Sequence, residues 1–353
     1  MYLRGIGTAA PPRSYEQSQC WSALQESPQF SGLTSRSRAI LRKVLLAKNG
    51  IATRHLALDP LAEFFDCSPD TLNARFARHA PALATQAAER ALADAGLRAA
   101  DIDAALISTC TGYLCPGLTS YVTEKLGLPQ NVFALDLVGQ GCGAALPNLR
   151  AAENLVASGQ HKNVLSICVE VCSAAFYLDN DPGVLISACL FGDGAGAVIL
   201  SGEPDARRRR VQWKAFHSVI SPAERDLLRF EQKNGMLRNI LSPEVPKLAG
   251  KFAGRVLDEL LQSTGADREK ISTWILHAGG RDVLLALQKD LNLSPADLCW
   301  SANVLREFGN LSSSFVLFVL EKALRENAPG GLWWMASFGA GFSSHGALLE
   351  VET

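Results

Sequence analysis

Short apolar runs alternate with longer amphipathic stretches along most of the chain. AALISTC (104–110), VFALDLV (132–138), NVLSICVEV (163–171) and GAGAVIL (194–200) are brief, rich in β-branched or apolar residues, and bounded by Gly, Asp or Asn. Each predicts a buried strand. Between them, APALATQAAERALADAGL and ALPNLRAAENLVASGQ carry apolar residues at helical spacing and stop at Gly96 and Gly159. Strands alternating with helices in this way predict an α/β sheet with helices layered on its faces.

The pattern breaks at SGEPDARRRR (201–210). Four consecutive arginines beside Gly, Pro and Asp read as a solvated connector rather than an anion patch. They place a boundary between an N-terminal half, residues 1–203, and a C-terminal half, residues 211–353. The second half resumes with a helix over about 247–263, the run WILHAGG, a helix over about 281–291 and, after SANVLREFGNLSSS, another over about 313–326. It closes with WWMASFGAGFSSHGALLEV, a hairpin pattern punctuated by glycine. Strand, helix and Gly-rich loop recur in similar order in the two halves, which points to a duplicated fold.

Composition narrows the class. A chain of 353 residues, 48% hydrophobic, can bury a core that needs no staples. Its 34 Lys+Arg against 35 Asp+Glu leave a net charge of -1, and so no field to gather nucleic acid or an anionic membrane. No apolar run reaches the roughly 20 residues of a membrane span, and MYLRGIGTAAPPRS lacks the apolar run of a signal peptide. The expectation is a soluble, cytoplasmic protein. Nine cysteines form no framework and read mostly as small buried hydrophobes in a reducing compartment. Cys168 and Cys172 are four apart but lack a paired second motif, so no metal site is expected.

Cys142 stands apart. LDLV runs into GQGCGAALPNL and then a helix, which puts this cysteine on a Gly-flanked turn at a helix N-terminus. Glycines permit unusual backbone angles and close approach of a substrate, and the helix end favours a thiolate. Taken alone, Gly-Cys-Gly is equally a packed turn. Two later segments weigh against that reading. His277 ends TWILH and is followed by AGG; Asn310 lies in FGNLSSS, just before a helix. A Cys, a His and an Asn, each at a Gly-bearing junction, suit thiol acyl transfer, in which the cysteine accepts the acyl group and the other two donate hydrogen bonds to a thioester oxygen.

These segments, in this order, resemble the thiolase superfamily, and most closely the type III polyketide synthases of the chalcone and stilbene synthase kind. The resemblance covers nearly the whole chain, from IGTAAPP through STCTGYLCPG, GQGCGAALPNL, CLFGDGAGAVIL and HAGG to EFGNLSSS. It implies a five-layered αβαβα thiolase fold working as a homodimer. It implies that Cys142 is the acyl-accepting nucleophile, and that His277 and Asn310 promote malonyl decarboxylation and hold the enolate. Phe191 matches the aromatic gate between CoA tunnel and cavity, and Cys110 and Thr111 match the cavity lining. Cys115 matches a residue that reaches into the partner's cavity. Lys48 matches a base for CoA phosphates, assisted by Arg42 and Lys43, and Gly279 and Gly280 match the passage for the pantetheine arm. Read without the resemblance, Phe191 is equally a core aromatic, Lys48 a solvated lysine, and Cys110 and Cys115 plain buried thiols.

The implied reaction is iterative decarboxylative condensation of malonyl-CoA onto an acyl-CoA starter, followed by cyclisation to a resorcinol, pyrone or dihydroxyphenylacetyl-type product. CoA thioesters are the substrates, with an acyl carrier protein as the alternative donor, and no metal or organic cofactor is implied. Two departures stand out. The family's GFGPG loop here reads SFGAG (337–341), which leaves ring formation open, and small residues at 110, 115 and 173–175 predict room for a larger guest. His345-Gly346 resembles the ending of ketoacyl-ACP synthase III, a single-condensation enzyme, whereas HAGG and GNLSSS favour the type III reading. A non-catalytic thiolase-fold partner ranks last, since Cys142, His277 and Asn310 are all present. A thiolase proper would need a second cysteine near the C-terminus, and the last is Cys299.

Overall fold

The apolar runs close as strands of one sheet. In the computed structural model, which describes residues 1–47 and 49–352, nine strands carry the architecture. They are β1 (Tyr2–Ala9), β2 (Ala104–Ser108), β3 (Phe133–Leu137), β4 (Asn163–Glu170), β5 (Gly194–Ser201), β6 (Val211–Ile220), β7 (Ile271–Leu276), β8 (Gly331–Gly339) and β9 (Ser343–Val351). Their spatial order is β7-β8-β9-β6-β1-β5-β4-β2-β3. The two ends of that order repeat one scheme. β5 is antiparallel to both β1 and β4, and β4 is parallel to β2. Likewise β9 is antiparallel to both β6 and β8, and β8 is parallel to β7. Among the described residues the two sets pair in the sheet at Tyr2–Gln212, between β1 and β6, with the Trp213 N–H donating to the Met1 carbonyl beside it.

Six helices complete the layers: α1 (Pro69–Ala95), α2 (Leu118–Leu126), α3 (Ala145–Ala157), α4 (Val245–Thr264), α5 (Arg281–Asp290) and α6 (Phe315–Arg325). α1 covers the outer face of the first strand set, α3 and α6 fill the space between the sets, and α4 covers the outer face of the second. The succession is αβαβα. Local chemistry starts and stops the helices. Ser68 caps α1 by accepting from the Thr71 N–H, Pro69 occupies its first turn, and Gly96 ends it at φ +64°. Among the described residues no helix is long and apolar enough to cross a membrane.

Three expectations change. α1 begins at Pro69, well before the stretch from Ala80 that its apolar spacing marks, because the helix runs through Pro81. Only Cys20, Cys168, Cys172 and Cys189 are buried, and Cys115 is exposed. VFALDLV forms a strand but not a buried one: β3 ends the sheet, with Phe133 and Leu135 44% and 41% exposed. An apolar run cannot distinguish a covered strand from an edge strand.

Candidate active site

The Cys142 turn is built by backbone packing. After β3 the chain makes a single tight turn, Gly141–Gly143, and enters α3. Gly139 and Gly141 adopt φ of +88° and +56°, the left-handed region that glycine enters without strain. The turn rests on the end of β8. Ser337 Oγ donates to the Gly143 carbonyl at 2.9 Å. A side chain on Gly339 would place its Cβ 2.4 Å from both Gln140 O and Gly143 N. Cys142 stays partly open, and its Sγ lies 3.3 Å from Ser312 Oγ. Burial pushes the Cys142 thiol up to about 12, against the Ser312 hydrogen bond, and the Glu170 carboxylate adds to the rise. Desolvation thus opposes the helix end and favours the thiol form of Cys142.

His277 follows β7 and is 1% exposed, its N–H donating to Ala336 O at 2.9 Å. Phe315 and Phe338 meet its ring edge-on, with centroids 5.4 and 5.0 Å away. Burial in this apolar slot pushes the imidazole down to about 3, so it is neutral at working pH, and Nδ1 has no partner among the described residues. Asn310 follows Gly309 and exchanges backbone hydrogen bonds with the Phe191 segment: its N–H donates to Leu190 O and its carbonyl accepts from Gly192 N–H, each at 2.9 Å. Its amide oxygen accepts from Ser312 N–H at 2.9 Å, and Nδ2 donates to Gly279 O at 3.3 Å, with a second hydrogen in reserve. Ser312 thus joins Asn310 to Cys142, while Phe338 and Gly339 join His277 to the Cys142 turn.

The remaining sequence-derived residues divide. Phe191 is half-buried beside Asn310. Cβ atoms on Gly279 and Gly280 would meet nothing nearer than 3.5 and 3.6 Å, so both leave room above the backbone. Cys110 Sγ is 3.4 Å from Ser312 Oγ, on the same serine as Cys142. Thr111 is buried as a tie and does not face open space: its hydroxyl donates to Glu170 at 2.9 Å and accepts from Val171 N–H at 2.9 Å. Cys115 lies on an exposed face beside Tyr113, apart from this group. Arg42 and Lys43 are exposed on the helix Ser35–Leu46. Lys48 lies outside the described residues.

Glu170, Ser312 and Ser313 are the residues that sequence reasoning missed. Glu170 ends β4 fully buried. One carboxylate oxygen accepts from Thr111 and, at 3.1 Å, from Cys110 N–H; the other accepts from Ser313 at 2.5 Å, Ser312 at 3.3 Å and the Cys110 thiol at 3.4 Å. Burial pushes this carboxyl up, with the Ser313 hydrogen bond the largest opposing influence. A signal existed: a lone acidic residue closing the apolar run VLSICVEV. The assembled site holds a thiol able to take an acyl group, a neutral imidazole and a carboxamide N–H able to face an oxyanion, and a buried carboxylate fixing the floor.

Sequence models of known families match both parts of the chain. The one described as FAE1/type III polyketide synthase-like protein matches residues 11–226, and that of the chalcone and stilbene synthase C-terminal domain matches residues 222–350. The chain belongs to the type III polyketide synthases. The synthase is 30% identical to the 3,5-dihydroxyphenylacetyl-CoA synthase of Streptomyces toyocaensis, over 98% of its own length and 89% of the relative's. It is 31% identical to the 1,3,6,8-tetrahydroxynaphthalene synthase of Streptomyces peucetius subsp. caesius, over 99% and 92%. Among solved structures it matches PKS-I of the brown alga Ectocarpus siliculosus with a TM-score of 0.90, at 25% identity over 99% and 97% of the two chains. The tetrahydroxynaphthalene synthase of Streptomyces coelicolor matches with 0.88 at 24% identity over both whole chains. The synthase thus has the thiolase fold and is an acyltransferase; the single-condensation and scaffold alternatives give way to the type III reading. His345 has another place in the structure: buried in β9, its Nδ1 meets Ser218 Oγ at 2.5 Å, in a row with Ser337 behind the Cys142 turn.

Proposed function

We propose that this synthase loads an acyl starter from CoA onto Cys142 and extends it by repeated decarboxylative condensation with malonyl-CoA before cyclisation. The observation that carries the reading is the convergence of Cys142, His277 and Asn310 through Ser312 and the Phe338-Gly339 segment. As a thioester carbonyl reaches the Cys142 thiol, the neutral His277 takes the thiol proton and CoA departs as its own thiol. Malonyl-CoA then passes Phe191 and loses carbon dioxide, and the enolate oxygen receives hydrogen bonds from His277 and the second Asn310 amide hydrogen. In so apolar a slot such bonds count for more than in water. The enolate carbon attacks the acyl-cysteine carbonyl, the Cys142 sulfur leaves, and the longer chain returns to it. CoA thioesters supply every reacting group, so no cofactor is needed. Nine unpaired cysteines support a reducing, cytoplasmic setting.

The test is purified enzyme with malonyl-CoA and a panel of short, long and aromatic acyl-CoAs, with products and protein mass read by mass spectrometry. Products with two or more added ketide units, and acyl mass on the protein, are expected. One added unit throughout would overturn the iterative reading. Acylation only from carrier-protein thioesters would replace CoA as the donor.

A homodimer is part of the same proposal. The edge strand β3 leaves its backbone ladder open, and Tyr113 and Val138 beside it are 77% and 61% exposed. A long apolar edge of this kind invites pairing, and a second copy of β3 would cover it and bring Cys115 against the partner. The equal order and direction of strands in residues 1–203 and 211–353 also supports reading the halves as a duplication. Leu135→Glu is expected to shift the protein from dimer to monomer in light scattering and to lower product yield. An unchanged dimer would sink the β3 assignment.

A further inference from the structure

The arginine run does not simply wave in solvent. Residues 202–210 join β5 to β6 at the end of the sheet far from Cys142. Gly194 and Ser201, at opposite ends of β5, are seven residues apart, roughly 23 Å along a strand. There the connector, the start of β1 and the end of α6 enclose a cavity of about 190 Å³ lined by Arg4, Arg208, Arg209, Arg210 and Arg325, against the carboxylates of Asp94 and Asp205.

The carboxylates are already committed. Asp94 pairs with Arg208, and Asp205 pairs with Arg207 at 3.0 Å and Arg4 at 3.6 Å. Arg325 pairs with Glu321 at 2.9 Å. Arg209 has no anionic partner among the described residues. Nε donates to Glu352 O at 2.8 Å and Nη2 to Ala328 O at 2.7 Å, both neutral carbonyls, and the guanidinium lies 5.5 Å from the Trp333 ring centroid. Its Nη1 is buried and unpartnered among the described residues, as is Nε of Arg4. Arg210 is exposed at the rim, and its guanidinium makes no bond to a carboxylate among the described residues. A guanidinium cannot shed its charge by deprotonation, and one held rigid by carbonyls in a concave site keeps a charge and a spare donor that an oxyanion matches best.

We propose that this cavity is a binding site for a small phosphate-bearing anion, separate from the catalytic site, with Arg209 as its central donor and Arg210 closing over it. The volume is below that of pockets for drug-sized ligands, which suits phosphate or diphosphate better than a nucleotide. The anion would join the connector to α6 and the start of β1, and so tie the two strand sets together.

The test is calorimetric titration of the full-length enzyme with inorganic pyrophosphate and with phosphate, at constant ionic strength set by sodium chloride, with sulfate as a third arm. Saturable binding of one anion per chain is expected, with a rise in thermal midpoint in step with occupancy. Arg209→Gln should weaken pyrophosphate at least about tenfold, the loss of a charge-assisted hydrogen bond. Arg210→Gln, which removes no internal bond, should weaken it severalfold while leaving condensation unchanged, so a folding defect in the first variant does not decide the matter. Heat no different from the chloride background, or equal affinity in Arg210→Gln and wild type together with equal affinity in folded Arg209→Gln, overturns the proposal. Equal affinity for sulfate would overturn the phosphate assignment and leave a general oxyanion site.

Discussion

A Cys142→Ala enzyme is expected to fold as the wild type and to yield no extended product from any starter. Its intact mass should show no acyl adduct. The structure makes the choice of thiol a real question, because Cys110 and Cys142 approach Ser312 Oγ at 3.4 and 3.3 Å. Electrostatics separates them. Burial raises both thiols, but Cys110 also hydrogen-bonds the Glu170 carboxylate, whose charge opposes a second negative charge beside it and drives that thiol well above its ordinary range. Cys142, raised to about 12, meets that carboxylate without a direct hydrogen bond among the described residues. Peptide mapping of the acylated wild type should therefore place the adduct on Cys142, and an adduct on Cys110 would reverse the roles. Asn310→Ala is expected to leave acylation of Cys142 intact while slowing condensation by about 10²–10³-fold, the usual loss of one oxyanion donor. Equal loss in both steps would mean that Asn310 shapes the site without meeting the enolate.

Gly339→Ala is expected to cost nearly as much without touching the substrate. The added Cβ would stand 2.4 Å from Gln140 O and Gly143 N, both backbone atoms of the nucleophile turn, so no side chain can swing aside. Either β8 or the turn must move. A displacement near 1 Å at the nucleophile costs on the order of 10²-fold in rate, and the overpacking itself about 1–3 kcal/mol of stability. Gly341→Ala is the matched control. Its Cβ meets nothing within 4 Å, yet its φ of +112° strains any side chain. That variant should lose about 1–3 kcal/mol of stability and keep its rate. Thermal melts with condensation rates on both proteins separate the two costs. A wild-type rate in Gly339→Ala would show that the turn does not depend on this contact.

The loop that departs from the family pattern thus bears on the Cys142 turn both through Gly339 and through Ala340, which stands where the family's proline does. Ala340 stands directly against Gly141, Phe342 is buried against Phe338 and Phe252, and Ser337 and Gly339 on the strand side hold the Cys142 turn.

What the sequence determined by itself is whatever is local. The helices over 245–264, 281–290 and 315–325 lie within a few residues of their periodicity, and the strands β2, β4, β5 and β7 follow their apolar runs. Glycine junctions marked Cys142, His277 and Asn310 because a backbone that must turn tightly at a strand or helix end leaves that need in the residues themselves. The tertiary structure alone decided what depends on partners distant in the chain. Glu170 is a site residue only because Ser312 and Ser313, 142 and 143 positions later, donate to it. The arginine run lines a cavity only because Arg4, some 200 positions earlier, and α6 close on it. β3 reads as buried but ends the sheet, since a strand's own residues record that a face is apolar and not what will cover it. Periodicity encodes which way a side chain points; the free energy of what it meets there is set by chain segments that the local pattern never contains.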